Sequence, residues 1–524
     1  MYIIIITMCG ILFVIHPSSH IKSTFGSRLD TLKPRGPDEY NIVMGDNFVM
    51  GHTRNCITNP MRGKQPIEDE EYVIVHNGEI YNGMDHEESD SYHILRSIRE
   101  HGPLEAPKHL DGVFAYVAYN RTTQTFYAAR DPIGVIPMYV ARQDDAIWVS
   151  NELKALHGLS PTYIQPGTLV SNGTVPVVTY VPEYTIGTIC PQAGDLRTLL
   201  IQACQKRMKL DVPWGMLLSG GLDSSIVATL ISRGDMSHVR WKSLHTFSIG
   251  LHGSPDLKWA REVAQSIGAY HHEYIFTVEE GIAALTDVIH ALETYDVTTI
   301  RAGIPMYILG KYARKVGVKV LFSGEGADEL FAGYMYNRWC PNEQEMAEEC
   351  KTKMDRLHMY DCLRANKALA CHGIETRVPF LDKDVVHYAM NVLPPKYKLS
   401  ETHPDGKKQT KWYLRDEFKT YLRENLRTRE KEQFSDGVGD QWIESLKTHA
   451  EQAVHNFKHA ETMYPHQTPK TKEAMLYRDI FTKLFGKDQD KSVFYTDETV
   501  ACSSERGARW NVALRRDPSG KNLV

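Results

Sequence analysis

At 524 residues the chain exceeds what one hydrophobic core usually organises, so two or more domains are expected. A composition of 42% hydrophobic and 24% charged residues is that of a globular protein, and a formal net charge of −5 excludes a general attraction for nucleic acid or acidic membrane surfaces. Nine cysteines with no Cys-x-x-Cys pair and no paired Cys/His spacing indicate neither a zinc module nor a disulfide framework, and suit a reducing, cytoplasmic setting.

The apolar run at 2–6 is far shorter than the roughly 20 residues that cross a bilayer, and it lacks the basic leader of a secretory signal. It reads as a gene-start artefact or an added edge strand, so residues 1–8 are set apart as a leader. Cys9 follows, in Met8-Cys9-Gly10, just before a strand predicted at 11–15. A thiol at a chain start carries its own base, because a free α-amine titrating near neutrality can take the thiol proton and an amide nitrogen cannot. With 1–8 in front, that chemistry requires initiation at Met8 or removal of the segment, and an active chain beginning at Cys9 is the expectation.

Further strands are predicted at 48–52, 72–76, 114–119, 125–129 and 147–150, with helices only near 91–100 and 152–156. Strands in excess of helices predict antiparallel sheets with helices packed outside. Asn77-Gly78, taken alone, is a hairpin-turn signature. The stretch 181–194, with Pro182 and Pro191, reads as a linker.

After Asp195 strands alternate with helices: strand 214–218, helix 224–232, strand 244–249, a helix ending near Gly268, strand 271–276. A helix follows from about Glu279, with Ile282, Leu285, Ile289 and Leu292 on one face, and then a buried strand at 318–322. This alternation predicts a parallel sheet covered on both faces. From about Glu343 the chain turns helical, and from Lys487 it is polar and expected to be loosely ordered.

Two loops carry chemistry. Ser219-Gly220-Gly221-Leu222-Asp223-Ser224-Ser225 joins a predicted strand to a predicted helix, where glycines let the backbone approach a phosphate and the first helical amides bind anions. It is neither a Walker loop nor Gly-x-Gly-x-x-Gly. Ser323-Gly324-Glu325-Gly326-Ala327-Asp328-Glu329 follows the strand ending at Phe322, on the same carboxyl edge of a parallel sheet. Asp223 and Asp328 could then hold Mg²⁺ against a triphosphate, although each alone reads equally as a helix cap.

With Arg377-Val378-Pro379-Phe380-Leu381-Asp382 and Lys431-Glu432-Gln433-Phe434-Ser435-Asp436-Gly437, these loops make the chain resemble the class B, glutamine-dependent asparagine synthetases, from Cys9 to about Phe485. In the first half Arg35-Gly36-Pro37-Asp38, Arg54, Asn77-Gly78-Glu79 and Ser89-Asp90 resemble, in order, the family's N-terminal-nucleophile amidotransferase domain. The resemblance implies two domains. Residues 9–185 would form an α+β sandwich of antiparallel sheets, and 195–486 an α/β parallel sheet of the adenine nucleotide α-hydrolase (PP-loop) type with a helical C-terminal part, leaving 487–524 as a polar tail.

It also implies the roles. Cys9 is the nucleophile, Asn77 and the Gly78 amide form the oxyanion site, Arg54 takes the glutamine α-carboxylate, and Glu79 and Asp90 take its α-ammonium. ATP lies on Ser219, Gly220, Gly221, Asp223, Ser224 and Ser225, with Leu218, Ile249, Ser323 and Gly324 at the adenosine and Lys431 on the leaving pyrophosphate. Asp223 and Asp328 hold Mg²⁺, and Glu325 serves formation of the intermediate and its reaction with ammonia. The implied substrates are glutamine, aspartate and ATP, and the implied state is a homodimer. Two departures stand in the glutaminase half: 83–88 is shorter than the family's usual excursion, and Asn55-Cys56 follows Arg54 in place of Leu and a small residue. The rival readings are an ammonia-dependent synthetase with impaired glutaminase, a β-lactam-synthetase-like ligase, and a non-catalytic sensor of glutamine or ATP. The remaining cysteines, Cys56, Cys190, Cys204, Cys340, Cys350, Cys362, Cys371 and Cys502, read as packed or surface thiols.

Overall fold

The computed structural model describes residues 9–57, 63–82, 89–172, 176–234, 243–400, 408–429, 437–439, 441–493, 504–511 and 513. Expectations placed on the leader 1–8, the short loop 83–88, Lys431 and Cys502 therefore lie outside the described residues.

In chain order the first half contains β1 (Gly10–Ile15), α1 (Ser19–Asp30), β2 (Glu39–Met44), β3 (Phe48–Arg54), β4 (Ile67–Glu68), β5 (Tyr72–Ile80) and α2 (Ser91–His101). It continues with β6 (Gly112–Asn120), β7 (Thr125–Arg130), β8 (Tyr139–Gln143), β9 (Ala146–Ser150), β10 (Thr162–Tyr163), β11 (Thr168–Ser171) and β12 (Pro176–Thr179). These strands form two six-stranded antiparallel sheets, ordered β10-β8-β9-β1-β3-β2 and β12-β11-β7-β6-β5-β4. Alternation along each strand dictates the stacking. Ile11, Phe13 and Ile15 of β1 meet Val73, Val75, Ala115 and Val117 of β5 and β6 in one core, while Leu12 and Val14 turn to Ile21, Phe25 and Leu29 of α1.

One isolated turn signature and one expected helix give way to tertiary structure for identifiable reasons. β5 runs straight through Asn77-Gly78, with Gly78 paired to Phe114 at φ 132, so the dipeptide is not a hairpin turn. The helix expected at 152–156 is a single 3₁₀ turn, Leu153–Leu156, because Glu152 is extended and its carboxylate is held by Arg35 and Lys154.

The second half contains α3 (Asp195–Arg207), β13 (Trp214–Leu217), α4 (Leu222–Arg233), β14 (His245–Gly250), α5 (Pro255–Ser266), β15 (Tyr270–Ile275), α6 (Val278–Ala283) and α7 (Leu285–Leu292). Then come α8 (Val297–Val316), β16 (Val320–Phe322), α9 (Ala327–Leu330), α10 (Glu343–Arg356), α11 (Asp361–Ala370) and β17 (Glu375–Arg377). Its five strands are all parallel, in the order β15-β14-β13-β16-β17. Trp214, Met216 and Phe322 face one core and Phe247 and Leu321 the other, so both faces are covered as the alternation predicts. The helix expected from 279 is broken at Ala284 into α6 and α7, and only Leu285, Ile289 and Leu292 of its apolar face are fully buried.

Residues 487–493 are not loose. Gln489 Nε2 donates to the carbonyls of Leu156 and Leu159, at 3.1 and 2.9 Å, and so satisfies acceptors at and just beyond the 3₁₀ turn of the first half. A polar segment that docks through backbone carbonyls leaves no hydropathy signal. Among the described residues no helix is long and apolar enough to cross a membrane.

Candidate active sites

The strand order reverses at β13 and β16, and the crevice beyond the carboxyl ends of parallel strands at such a point is where ligands bind. A separate site gathers at the N-terminal end of β1, where the end of β3 and the far end of β5 supply its polar groups.

Cys9 lies beside the end of β3. The Asn55 amide donates to its Sγ at 3.4 Å, while Arg35 Nε and Asn151 Nδ2 both donate to its carbonyl at 3.2 Å. Burial pushes the thiol up to about 12, against the pull of the Asn55 amide and the Arg54 charge. Asn77 is buried in β5, and its Nδ2 donates to no group among the described residues. An unspent buried donor is costly, and it suits an anion that forms only during reaction. Arg54 donates to Glu39 at 3.0 Å, and Asp90 at the head of α2 accepts the Ile80 amide at 2.8 Å.

Glu79 is tied to the other half of the chain. Its carboxylate lies 3.0 Å from Arg377 Nη2, on β17 of the other half, with Glu375 sharing the same guanidinium. Burial, with Glu375 close by, holds the Glu79 carboxyl above the usual carboxylate range despite Arg377. A Cβ on Gly78 would fall 2.0 Å from the Val113 carbonyl, so the strand closes around this position only with glycine. Gly78→Ala is expected to destabilise the protein by about 2–4 kcal/mol, because both steric overlap and a positive φ oppose it. A shift of the denaturation midpoint measures the loss, and unchanged stability contradicts it.

In the second half Leu218, Ser219, Gly221, Asp223, Ser224, Ile249, Ser323, Gly324, Glu325 and Asp328 line one cleft. Gly220 and Ser225 do not reach its wall. Gly220, at φ 69, lets the loop pass against Trp259 and Ala260, and Ser225 Oγ donates inward to the Gly221 carbonyl at 2.6 Å. The two loops touch, since a Cβ on Gly324 would meet the Ser224 amide at 2.9 Å.

Asp223 and Asp328 converge on one cation, the Lys411 ammonium, each with an oxygen 2.6 Å from Nζ. A buried and a partly buried carboxylate directed at one point are a donor set that fits a hard divalent ion completed by phosphate oxygens. Lys411 itself sits at φ 54, a strained conformation for lysine, and a Cβ on Gly333 would collide with its Cε at 2.1 Å. Lys431 lies outside the described residues, but its flanks are fixed at the same place. Arg429 donates to the Gly220 carbonyl at 3.0 Å and to Asp256 at 2.6 Å, and Gly437 packs against that Asp256.

At the other end of the cleft Arg364 Nη2 donates to Glu325 at 3.1 Å and Nη1 pairs with Asp361 at 2.6 Å. Burial beside Asp361 and Asp328 pushes Glu329 up to about 8, and Tyr334 donates to it. Lys411, Arg364, Asp361 and Arg429 were not singled out in the sequence. The spacing of Asp361 and Arg364 was the only signal, because it places both on one helical face.

Family profiles described as a glutamine amidotransferase domain and as asparagine synthase match residues 8–169 and residues 195–344 with 336–513. A glutamine-hydrolyzing asparagine synthetase of Triphysaria versicolor is 41% identical over 551 residues, covering 98% of this chain and 93% of that one. Another so named from Oryza sativa subsp. japonica is 41% identical, covering 98% and 92%, and one from Arabidopsis thaliana is 39% identical, covering 99% and 94%. Since both halves are matched and the relatives align from end to end, the chain belongs to the glutamine-hydrolysing asparagine synthetase family.

Proposed function

We infer that the protein makes L-asparagine from L-aspartate, L-glutamine and ATP through β-aspartyl-AMP, releasing AMP, pyrophosphate and glutamate. One observation carries the reading most: Asp223 and Asp328, on two strand-end loops at the switch point, address a single cation beside the anion-binding start of α4. Residues 9–185 hold the glutaminase site and 195–486 the synthetase site.

Cys9 Sγ attacks the glutamine side-chain amide, and Asn77 Nδ2 with the Gly78 amide receives the oxyanion, whose collapse breaks the C–N bond to expel ammonia and leaves a thioester that water hydrolyses to glutamate and the free thiol. Arg54 takes the α-carboxylate by paired hydrogen bonds, and Asp90 and Glu79 take the α-ammonium. In the cleft the backbone and hydroxyls of Ser219, Gly221 and Ser224 hold the triphosphate, with Gly220 and Ser225 shaping the loop behind them and Lys431 at the leaving pyrophosphate. Leu218, Ile249, Ser323 and Gly324 hold the adenosine. The aspartate side-chain carboxylate attacks the α-phosphorus, an encounter of two anions in which alignment and charge neutralisation do most of the catalysis. Mg²⁺ held by Asp223 and Asp328 supplies such neutralisation when bound. Glu325, oriented by Arg364, manages the proton when ammonia released at Cys9 displaces AMP.

An ammonia-dependent synthetase is favoured instead wherever residues ahead of Cys9 remain, because an amide nitrogen cannot take a thiol proton and burial already pushes that thiol up to about 12. We propose a cytoplasmic location, supported by the cysteine usage, and a homodimeric state, supported by the family resemblance, and the mass of the purified particle in solution tests the latter. Aspartate-dependent exchange of pyrophosphate into ATP with Mg²⁺ tests the synthetase reading, and no exchange defeats it. Comparing glutamine with ammonium as the nitrogen donor then separates the two readings.

A further inference from the structure

Helix α11 touches both sites. At its start Asp361 and Arg364 hold each other, and Arg364 reaches Glu325 in the synthetase cleft at 3.1 Å. Two residues later Asn366 Oδ1 accepts from Arg35 Nη2 at 3.1 Å, and Arg35 Nε donates to the Cys9 carbonyl at 3.2 Å. Residues two apart on a helix project roughly 200° from each other, so Arg364 and Asn366 address opposite sides of one rigid element. Glu325 and Cys9 are thus joined by three contacts and one helix.

The next residue anchors that helix. Lys367 is paired with Glu293 and lies 3.6 Å from Glu152, while Lys154 bridges the same two carboxylates and Arg35 closes on Glu152. Glu293 also accepts the amides of Leu153 and Lys154, each at 2.7 Å. Arg35, Glu152, Glu293 and Lys367 are all buried. Three cations and two carboxylates, all buried but the partly exposed Lys154, form a stiff joint between the halves, because breaking such a pair leaves an uncompensated buried charge. A shift of α11 is therefore passed to Arg35 instead of being absorbed.

We propose that α11 couples the two reactions, with Asn366 and Arg35 as positioning residues through which the state of the Glu325–Arg364 pair sets the placement of Cys9. Aspartate, its adenylate or Mg·ATP entering the cleft alters the charge around that pair. The helix moves with it, and the Cys9 carbonyl, gripped by Arg35, follows. This inference rests on the two-site reading of the preceding subsection.

The test compares glutamate release from glutamine with and without aspartate and Mg·ATP, in the full chain carrying a free Cys9 amine. In the unaltered protein, filling the cleft is expected to change kcat/KM for glutamine by at least about fivefold, the lower range of ordinary coupling. Asn366→Ala, which removes the acceptor, is expected to cut that response below about 1.5-fold and to raise the ratio of glutamate to asparagine formed, with ammonium-dependent synthesis within about twofold of normal. Asn366→Asp, which keeps an acceptor for Arg35, is expected to restore the response, a rescue that a purely structural role does not predict. Asn366→Leu replaces the alanine variant if the latter does not fold. A full response in the alanine or leucine variant overturns the proposal, as does no response in the unaltered protein. Complete absence of glutamine hydrolysis in the unaltered protein instead defeats the two-site reading.

Discussion

Cys9→Ala is expected to lower glutamine-dependent asparagine formation by more than about 10³-fold, while ammonium-dependent formation stays within about twofold of normal. The asymmetry follows from geometry. Among the described residues Cys9 bonds to Asn55, Arg35 and Asn151 and to no group of the nucleotide cleft, so its sulfur can be deleted without touching the loops at Ser219 or Ser323. Parallel rate measurements with each nitrogen donor decide it, and a variant that still uses glutamine efficiently removes Cys9 from the mechanism.

The same site makes the chain start a matter of rate. Burial pushes the Cys9 thiol up to about 12, which leaves almost no thiolate at neutral pH. A free α-amine, titrating at about 7.7–8.0, adds a base on the same residue. Protein cleaved between Met8 and Cys9 is therefore expected to show glutaminase activity that rises with pH through that range. The sign follows from the amine: it accepts the thiol proton only in its neutral form, which is depleted below its pKa. Intact-mass measurement paired with a pH profile checks both halves of the argument, and full glutamine activity in protein that still carries residues ahead of Cys9 excludes it.

The fold was legible wherever periodicity alone decides it. Ile11 to Ile15 and the strands at 214–218 and 318–322 are apolar runs bounded by turn residues, and each became a core strand. Asn77-Gly78 carries a local turn signature that competes with strand pairing, and nine paired positions between β5 and β6 outweigh it. Edge and short strands such as β2, β10 and β12 escaped notice because half-exposed residues carry little alternation. Loop residues of the sites were legible through glycine and carboxylate spacing, whereas their supports were not. Arg377 on Glu79, Lys411 between Asp223 and Asp328, and Asn366 on Arg35 join residues distant in the chain, and no local pattern encodes such pairs.

Asp223→Asn is expected to reduce aspartate-dependent exchange of pyrophosphate into ATP by at least about 10³-fold, and asparagine formation equally with either nitrogen donor, while glutamate release from glutamine survives. The expectation is large because Asp223 has two duties. It is buried at the start of α4, and without substrate it shares the Lys411 ammonium with Asp328. Removing its charge leaves Lys411 with one carboxylate in place of two, a change that costs about 3–5 kcal/mol when a buried pair is broken outright and less here because Asp328 remains. The unliganded variant should therefore melt earlier than the unaltered protein. It also loses half of the hard oxygen donor set that would meet the metal-bound triphosphate, so added Mg·ATP should stabilise it far less. The two readouts separate causes: a lowered melting temperature that Mg·ATP still raises normally assigns Asp223 to the Lys411 pair alone. Loss of nucleotide stabilisation together with loss of exchange assigns it to the phosphates. Exchange within about tenfold of normal removes Asp223 from the reaction altogether.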